Sequence, residues 1–143
     1  MTHVSSRKLA HSAEKKLYTQ LADIFVAHSR PKDCQRLIYE LFTDAERLMF
    51  GKRIAVIVLL ERNHSFYSIA KALHVSESTV ARIDARRQAG AYRQIVRTIK
   101  NKEHRQSFIG TLEAVLTAGL PGNVSKRFRD DIRRDIDAWR AGG

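Results

Sequence analysis

One cysteine stands in 143 residues, so an internal disulfide is excluded. Cys34 falls beside Leu37 and Ile38 on a predicted helix with no histidine or second cysteine near it, and it reads as a buried structural thiol. The six histidines, at positions 3, 11, 28, 64, 74 and 104, share no ligand spacing with one another or with the cysteine, and no metal site is expected. Long apolar runs are missing too. The longest, Ile54 to Leu60, is far short of the roughly 18 residues of a membrane span, and the segment from Met1 to Lys8 lacks the apolar core of a signal peptide. A cytoplasmic location is therefore expected, in the bacterial cytosol or nucleoid, with no membrane partner. There is no sustained apolar and polar alternation, no Asn-Gly or Asp-Gly hairpin signal and no internal repeat, which leaves an all-α chain. Nor is there a nucleophile with a neighbouring base or a phosphate-binding glycine loop, so no enzyme is indicated.

What is present is positive charge. The formal net charge is +11, and the hydrophobic fraction of 43% is that of a folded protein. Residues 1–16 carry an excess of +3, residues 17–85 only +1, and residues 86–143 +7. An excess placed outside a nearly neutral middle suits a polyanion, above all nucleic acid, bound with counterion release.

Residues 1–16 show no period and read as a basic disordered arm. Leu17, Leu21, Ile24 and Phe25 then mark a first helix, from about 17 to 28, that Pro31 ends. Cys34, Leu37, Ile38 and Leu41 mark a second, from about 32 to 42. Thr43 and Glu46 have the spacing of a capping box, which starts a long helix to about Arg62. Its later half is apolar nearly all round, so it needs burial on several sides, either as a central helix or by a second subunit.

The stretch from Phe66 to Ile83 carries the clearest functional signal. Ile69, Ala70 and Leu73 give one short helix a buried face, and Val80 and Ile83 give the next helix its own. His74-Val75 makes the turn, with His74 where glycine is usual, and Ser76 is placed to cap the second helix. This is a helix-turn-helix, whose second helix reads the major groove of double-stranded DNA. A plain helical hairpin is the alternative, but the second helix offers short hydrogen-bonding side chains where a merely solvated face would carry Glu and Lys. Its position-by-position reading assigns Tyr67, Ser76, Glu77, Ser78, Thr79 and Arg82 to the DNA face, Ser68 and Lys71 to phosphate, and Arg86 and Arg87 to phosphate or bases. Glu77 either accepts from a cytosine amino group or only caps the helix.

Beyond Gly90 the stripes Tyr92, Ile95, Val96, Ile99 and Phe108, Leu112, Val115, Leu116 predict two further helices. Gly119 to Gly122 punctuates the chain before a last helix, about 125 to 140, with Phe128, Ile132, Ile136 and Trp139 on one face. The domains expected are thus the arm 1–16, a helix-turn-helix domain 17–90 and a basic helical extension 91–143 that binds another protein or nucleic acid.

Residues 41–85 resemble the Trp repressor superfamily. The resemblance rests on Leu41-Phe-Thr-Asp-Ala-Glu-Arg-Leu-Met-Phe-Gly-Lys-Arg53, the apolar run to Leu60, and Ser68-Ile-Ala-Lys-Ala-Leu73 followed by Ser78-Thr-Val-Ala-Arg82. It implies an all-helical, intertwined homodimer with two recognition helices in successive major grooves. It also places on Arg53 and Arg82 the two arginines that sandwich the repressor's indole corepressor. Here Ile83-Asp84 replace the glycine and serine that follow the second arginine, which crowds the indole slot and removes a contact to the amino group. No cofactor is therefore expected, tryptophan included. The function expected is a sequence-specific, homodimeric transcriptional regulator that represses by occlusion. The alternative is a non-specific nucleic-acid-binding or architectural protein acting through its basic C-terminal helices.

Overall fold

The computed structural model describes residues 8–101 and the separate positions 108, 112, 130, 133, 134, 137, 138 and 141. The described residues are all-helical. Six helices follow in order: α1 His11–Ala27, α2 Pro31–Leu41, α3 Asp44–Glu61, α4 Phe66–Leu73, α5 Glu77–Gln88 and α6 Arg93–Lys100. Two compact units divide the chain at Leu48 and Met49, so that α3 starts in the first and runs through the second.

In the first unit, α1 begins at His11, ahead of the expected arm boundary at residue 16. Glu14 explains the difference. It puts negative charge in the first turn, and its carboxylate accepts from the Tyr18 hydroxyl at 2.7 Å, an i,i+4 pair that stabilises the turn. Residues 1–7 of the expected arm lie outside the described residues. Pro31 opens α2, one residue earlier than expected, because its fixed φ and missing N–H suit the first helical position. Neither α1 nor α2 contains a buried residue. Cys34, expected to be buried, is only half-buried for that reason.

The capping box forms as read. The Thr43 N–H donates to Glu46 Oε2 at 2.9 Å, and the Glu46 N–H donates to Thr43 Oγ1 at 3.3 Å. Arg47 adds an ion pair to Asp44 and donates to the carbonyl of Phe42.

The second unit is organised round the later half of α3, where six consecutive residues, Ala55 to Leu60, are all buried. An apolar helix with no polar side needs neighbours on every side, and the same chain supplies them. Ile69, Ala70, Ala72 and Leu73 of α4, Val80 and Ile83 of α5, Ile99 of α6 and Leu112 form one core with it. At roughly 1.5–3 kcal/mol for each fully buried Val, Leu or Ile, this cluster dominates the stability of the unit. A second subunit is not needed to cover Ala55 to Leu60, while Leu48, Met49 and Phe50 in the first half of α3 are exposed.

Asn63, at φ 60°, ends α3 in the left-handed conformation that asparagine tolerates, and the His64 N–H returns to the Leu59 carbonyl at 3.2 Å. Gly90, at φ 85°, ends α5 in the same way. Beyond α6, Phe108 and Leu112 are helical and pack on the core, as their stripe predicts. Gly119 to Gly122, and most of the helices expected at 108–118 and 125–140, lie outside the described residues.

Candidate nucleic-acid interface

α4 and α5 pack against each other through Ile69, Ala70, Leu73, Val80 and Ile83. Ser65 caps α4, its hydroxyl accepting from the Ser68 N–H at 3.2 Å. The turn residue His74 adopts φ 50°, ψ 53°, the left-handed geometry that a glycine would take without strain. Lys52 of α3 donates to its carbonyl at 3.4 Å, and the half-buried Val75 tucks into the core behind it. The sequence therefore forms the expected turn at a modest steric cost.

Ser76 caps α5, as its position predicts. Its hydroxyl accepts from the Thr79 N–H at 3.1 Å and lies 2.9 Å from the Ser78 hydroxyl and 2.8 Å from that of Thr79. Arg82 Nη2 donates to Thr79 Oγ1 at 3.5 Å. Three hydroxyls and a guanidinium thus meet over the first turn of α5. Ser76, Ser78 and Arg82 are exposed there and Thr79 is half-buried. Glu77 is exposed, with no hydrogen bond or ion pair among the described residues, so its carboxylate acts on the helix only through the charge it adds to the first turn.

At about 100° per residue, Ser78, Arg82 and Arg86 share the open side of α5. Arg86 extends over the Tyr92 ring, 5.7 Å from its centroid. On α4, Tyr67 and Lys71 are exposed and lie together, the ammonium 5.6 Å from the ring, while Ser68 is half-buried.

Arg87 does not join this surface. The same helical period turns it to the side of Val80, Ile83 and Asp84, all three buried. There its Nε and Nη2 donate to Asp84 Oδ1 at 2.9 and 2.8 Å, its Nη1 donates to Glu61 Oε1 at 2.6 Å, and Gln88 donates to Asp84 Oδ2 at 2.6 Å. Lys100 reaches Glu61 Oε2 at 3.1 Å. Partial burial pushes the Glu61 carboxyl up, but the hydrogen bonds and charges of Arg87 and Lys100 outweigh it and hold the group below the usual carboxylate range. For Arg87 the bond to Asp84 comes first; burial opposes it, Glu61 adds to it, and the guanidinium is held above its ordinary value. Sequence reading missed Glu61, Asp84 and Lys100. The i,i+3 and i,i+4 spacing of Asp84, Arg87 and Gln88 was the available signal.

A family model described as Trp repressor protein matches residues 16–100, more than half of the chain. The chain belongs to this family. The match extends beyond the resemblance at 41–85 to take in α1 from residue 16, α2 and α6. No curated protein and no solved structure matches. The Trp repressor family is one of helical DNA-binding regulators, and the exposed hydroxyl-rich turn of α5 is consistent with that class.

Arg53 and Arg82, the two arginines that the resemblance pairs round a ligand, have these neighbours. Arg53 is half-buried, its guanidinium 5.6 Å from the Phe50 ring, and Arg82 contacts Thr79; among the described residues no contact joins the two. Ile83, expected to crowd the indole slot, packs into the core, and Asp84 is held by Arg87 and Gln88.

Proposed function

We propose that this protein is a cytoplasmic, sequence-specific transcriptional regulator that binds operator DNA as a homodimer and represses by occlusion, without tryptophan. The observation that carries the reading is the exposed first turn of α5. Short hydroxyl side chains and Arg82 face outward there, on a helix anchored to α4 and α3 by a continuous apolar core. Ser78, Thr79 and Glu77 address base edges, with Arg82 on a base or the neighbouring phosphate. Tyr67, Ser68, Lys71, Ser76 and Arg86 fix register on the backbone. Arg87 is left out of this surface because its guanidinium serves Asp84 and Glu61.

The second copy is proposed on α1. Leu17, Leu21 and Ile24 recur at i, i+4, i+7, and all are exposed, at 51%, 39% and 45%. A continuous apolar stripe of this kind on a helix without a buried residue suits an isologous interface with another copy of the chain.

Selection of bound duplexes from a random pool at about physiological salt tests the function. The expected result is an enriched inverted repeat with half-sites about 34–36 Å apart. Arg82→Ala and Thr79→Ala are each expected to erase the preference while leaving the unfolding midpoint nearly unchanged. Retention without an enriched motif, steeply weakened by salt, would instead favour non-specific binding by the basic segment 86–143.

A further inference from the structure

At the C-terminal end of α5 lies an open cleft of about 530 Å³, lined by Glu61, Arg87, Gln88, Gly90 and a row of α6 side chains. Arg93, Arg97 and Lys100 stand at i, i+4 and i+7 on α6, so they form one edge of the cleft, with Tyr92 and Val96 beside them. Four cations therefore surround one carboxylate. Within this set Arg87 and Lys100 are already matched by Glu61 and Asp84. Arg93 and Arg97 are exposed, and among the described residues neither has an ion-pair partner.

The backbone makes room for one of them. Gly90, at φ 85°, lies under the Arg93 guanidinium, and a Cβ there would fall 2.8 Å from Arg93 Nε and 2.9 Å from Nη2. The turn that ends α5 favours glycine for its positive φ, and the Arg93 guanidinium lies over it.

We propose that the α5–α6 cleft binds a small phosphate monoester, its dianion held between Arg93 and Arg97 and its organic part against Tyr92 and Val96. The charge count selects the ligand. Among the described residues two guanidiniums remain uncompensated, a phosphate monoester carries nearly two negative charges near pH 7, and guanidinium forks match phosphate oxygens two at a time. A DNA backbone fits less well at Arg87, which points half a turn away from Ser78.

Titration of the full chain with phenyl phosphate at constant ionic strength, followed by amide chemical shifts, tests the site. Saturable shifts confined to about residues 87–100 are expected. Arg93→Gln and Arg97→Gln should each weaken binding about tenfold or more, the effect of losing a charge-assisted hydrogen bond, while Arg82→Gln leaves it unchanged. Shifts that do not saturate in the wild-type chain overturn the proposal, whatever the variants do. Equal weakening by Arg82→Gln would show general charge attraction and overturn it too. If duplex DNA moves the same amides and Arg93→Gln weakens duplex binding tenfold, the cleft is a DNA phosphate contact and the small-ligand assignment is wrong.

Discussion

Arg87→Ala is expected to act on stability and not on DNA sequence preference. In the native chain the guanidinium gives three hydrogen bonds, two to Asp84 and one to Glu61. The two carboxylates are unequal: the Asp84 side chain is 11% exposed and Glu61 19%, and Glu61 keeps Lys100 when the guanidinium goes. Asp84 keeps only the neutral amide of Gln88. Removing one partner of a fully buried ion pair costs about 3–5 kcal/mol. The Arg87 side chain is 26% exposed, so solvent screens part of the pair, and a loss of about 2–4 kcal/mol is expected. With a urea dependence of about 1–3 kcal/mol per molar, the unfolding midpoint should fall by about 1–2 M at fixed protein concentration. Most of that loss comes from the stranded carboxylate, so Asp84→Asn in the same chain should recover at least half of it. The amide removes the charge, and Gln88 can turn to offer its carbonyl. A loss below about 0.5 kcal/mol, or a double variant that loses the sum of the two single effects, would refute the reasoning.

His74→Gly relieves a left-handed residue, a cost of roughly 1–2 kcal/mol, against an entropic penalty of about 0.5–1 kcal/mol for glycine. The backbone terms alone give a net gain of about 0.5–1 kcal/mol in urea unfolding, and the Lys52 bond is kept because it uses only the backbone carbonyl. For Glu61, whose carboxyl is held below its ordinary value of 4.5, the stabilisation is complete above that value and is lost as pH falls through the lower folded value. Unfolding midpoints of the wild type and Glu61→Gln should therefore differ most near neutral pH and draw together as pH falls from about 4.5 through the lower folded value.

Local chemistry was legible because each signal lay within four residues. Thr43 and Glu46 cap α3, Ser76 caps α5, and His74 takes the conformation that its place in the turn demands. The roles of the three arginines of α5 were harder to separate. Arg82, Arg86 and Arg87 look alike in a charge count, and only the 100° period distinguishes them: Arg87 falls three, four and seven residues from Asp84, Ile83 and Val80, which are buried. Its partner Glu61 is 26 residues away, and no spacing rule reaches that far. The cleft was illegible for the same reason, since α5, α6 and the end of α3 must be packed before Glu61 and Arg93 share a wall. At α1 the start was misplaced because a basic, polar opening resembles an arm until the Glu14 and Tyr18 pair is considered.

The apolar run from Ile54 to Leu60 resembles an unfinished interface in the sequence, yet α4, α5, α6 and Leu112 cover Ala55 to Leu60 within one chain. The case for a second copy therefore moves to α1, where apolar side chains recur at helical spacing and none is buried. The two helices should respond in opposite ways to a buried charge. Leu21→Glu, at a position already 39% exposed, should lower the association state in sedimentation and weaken binding to a two-half-site duplex, while the core round Ile57 still unfolds cooperatively. Ile57→Glu, at a position with no exposure, strands a carboxylate in hydrocarbon and should abolish folding of the second unit. A Leu21→Glu chain that sediments as the wild type does would remove α1 from the interface. Since Ala55 to Leu60 are already covered, that result would move the search for the second copy to Leu48, Met49 and Phe50, the exposed apolar residues in the first half of α3.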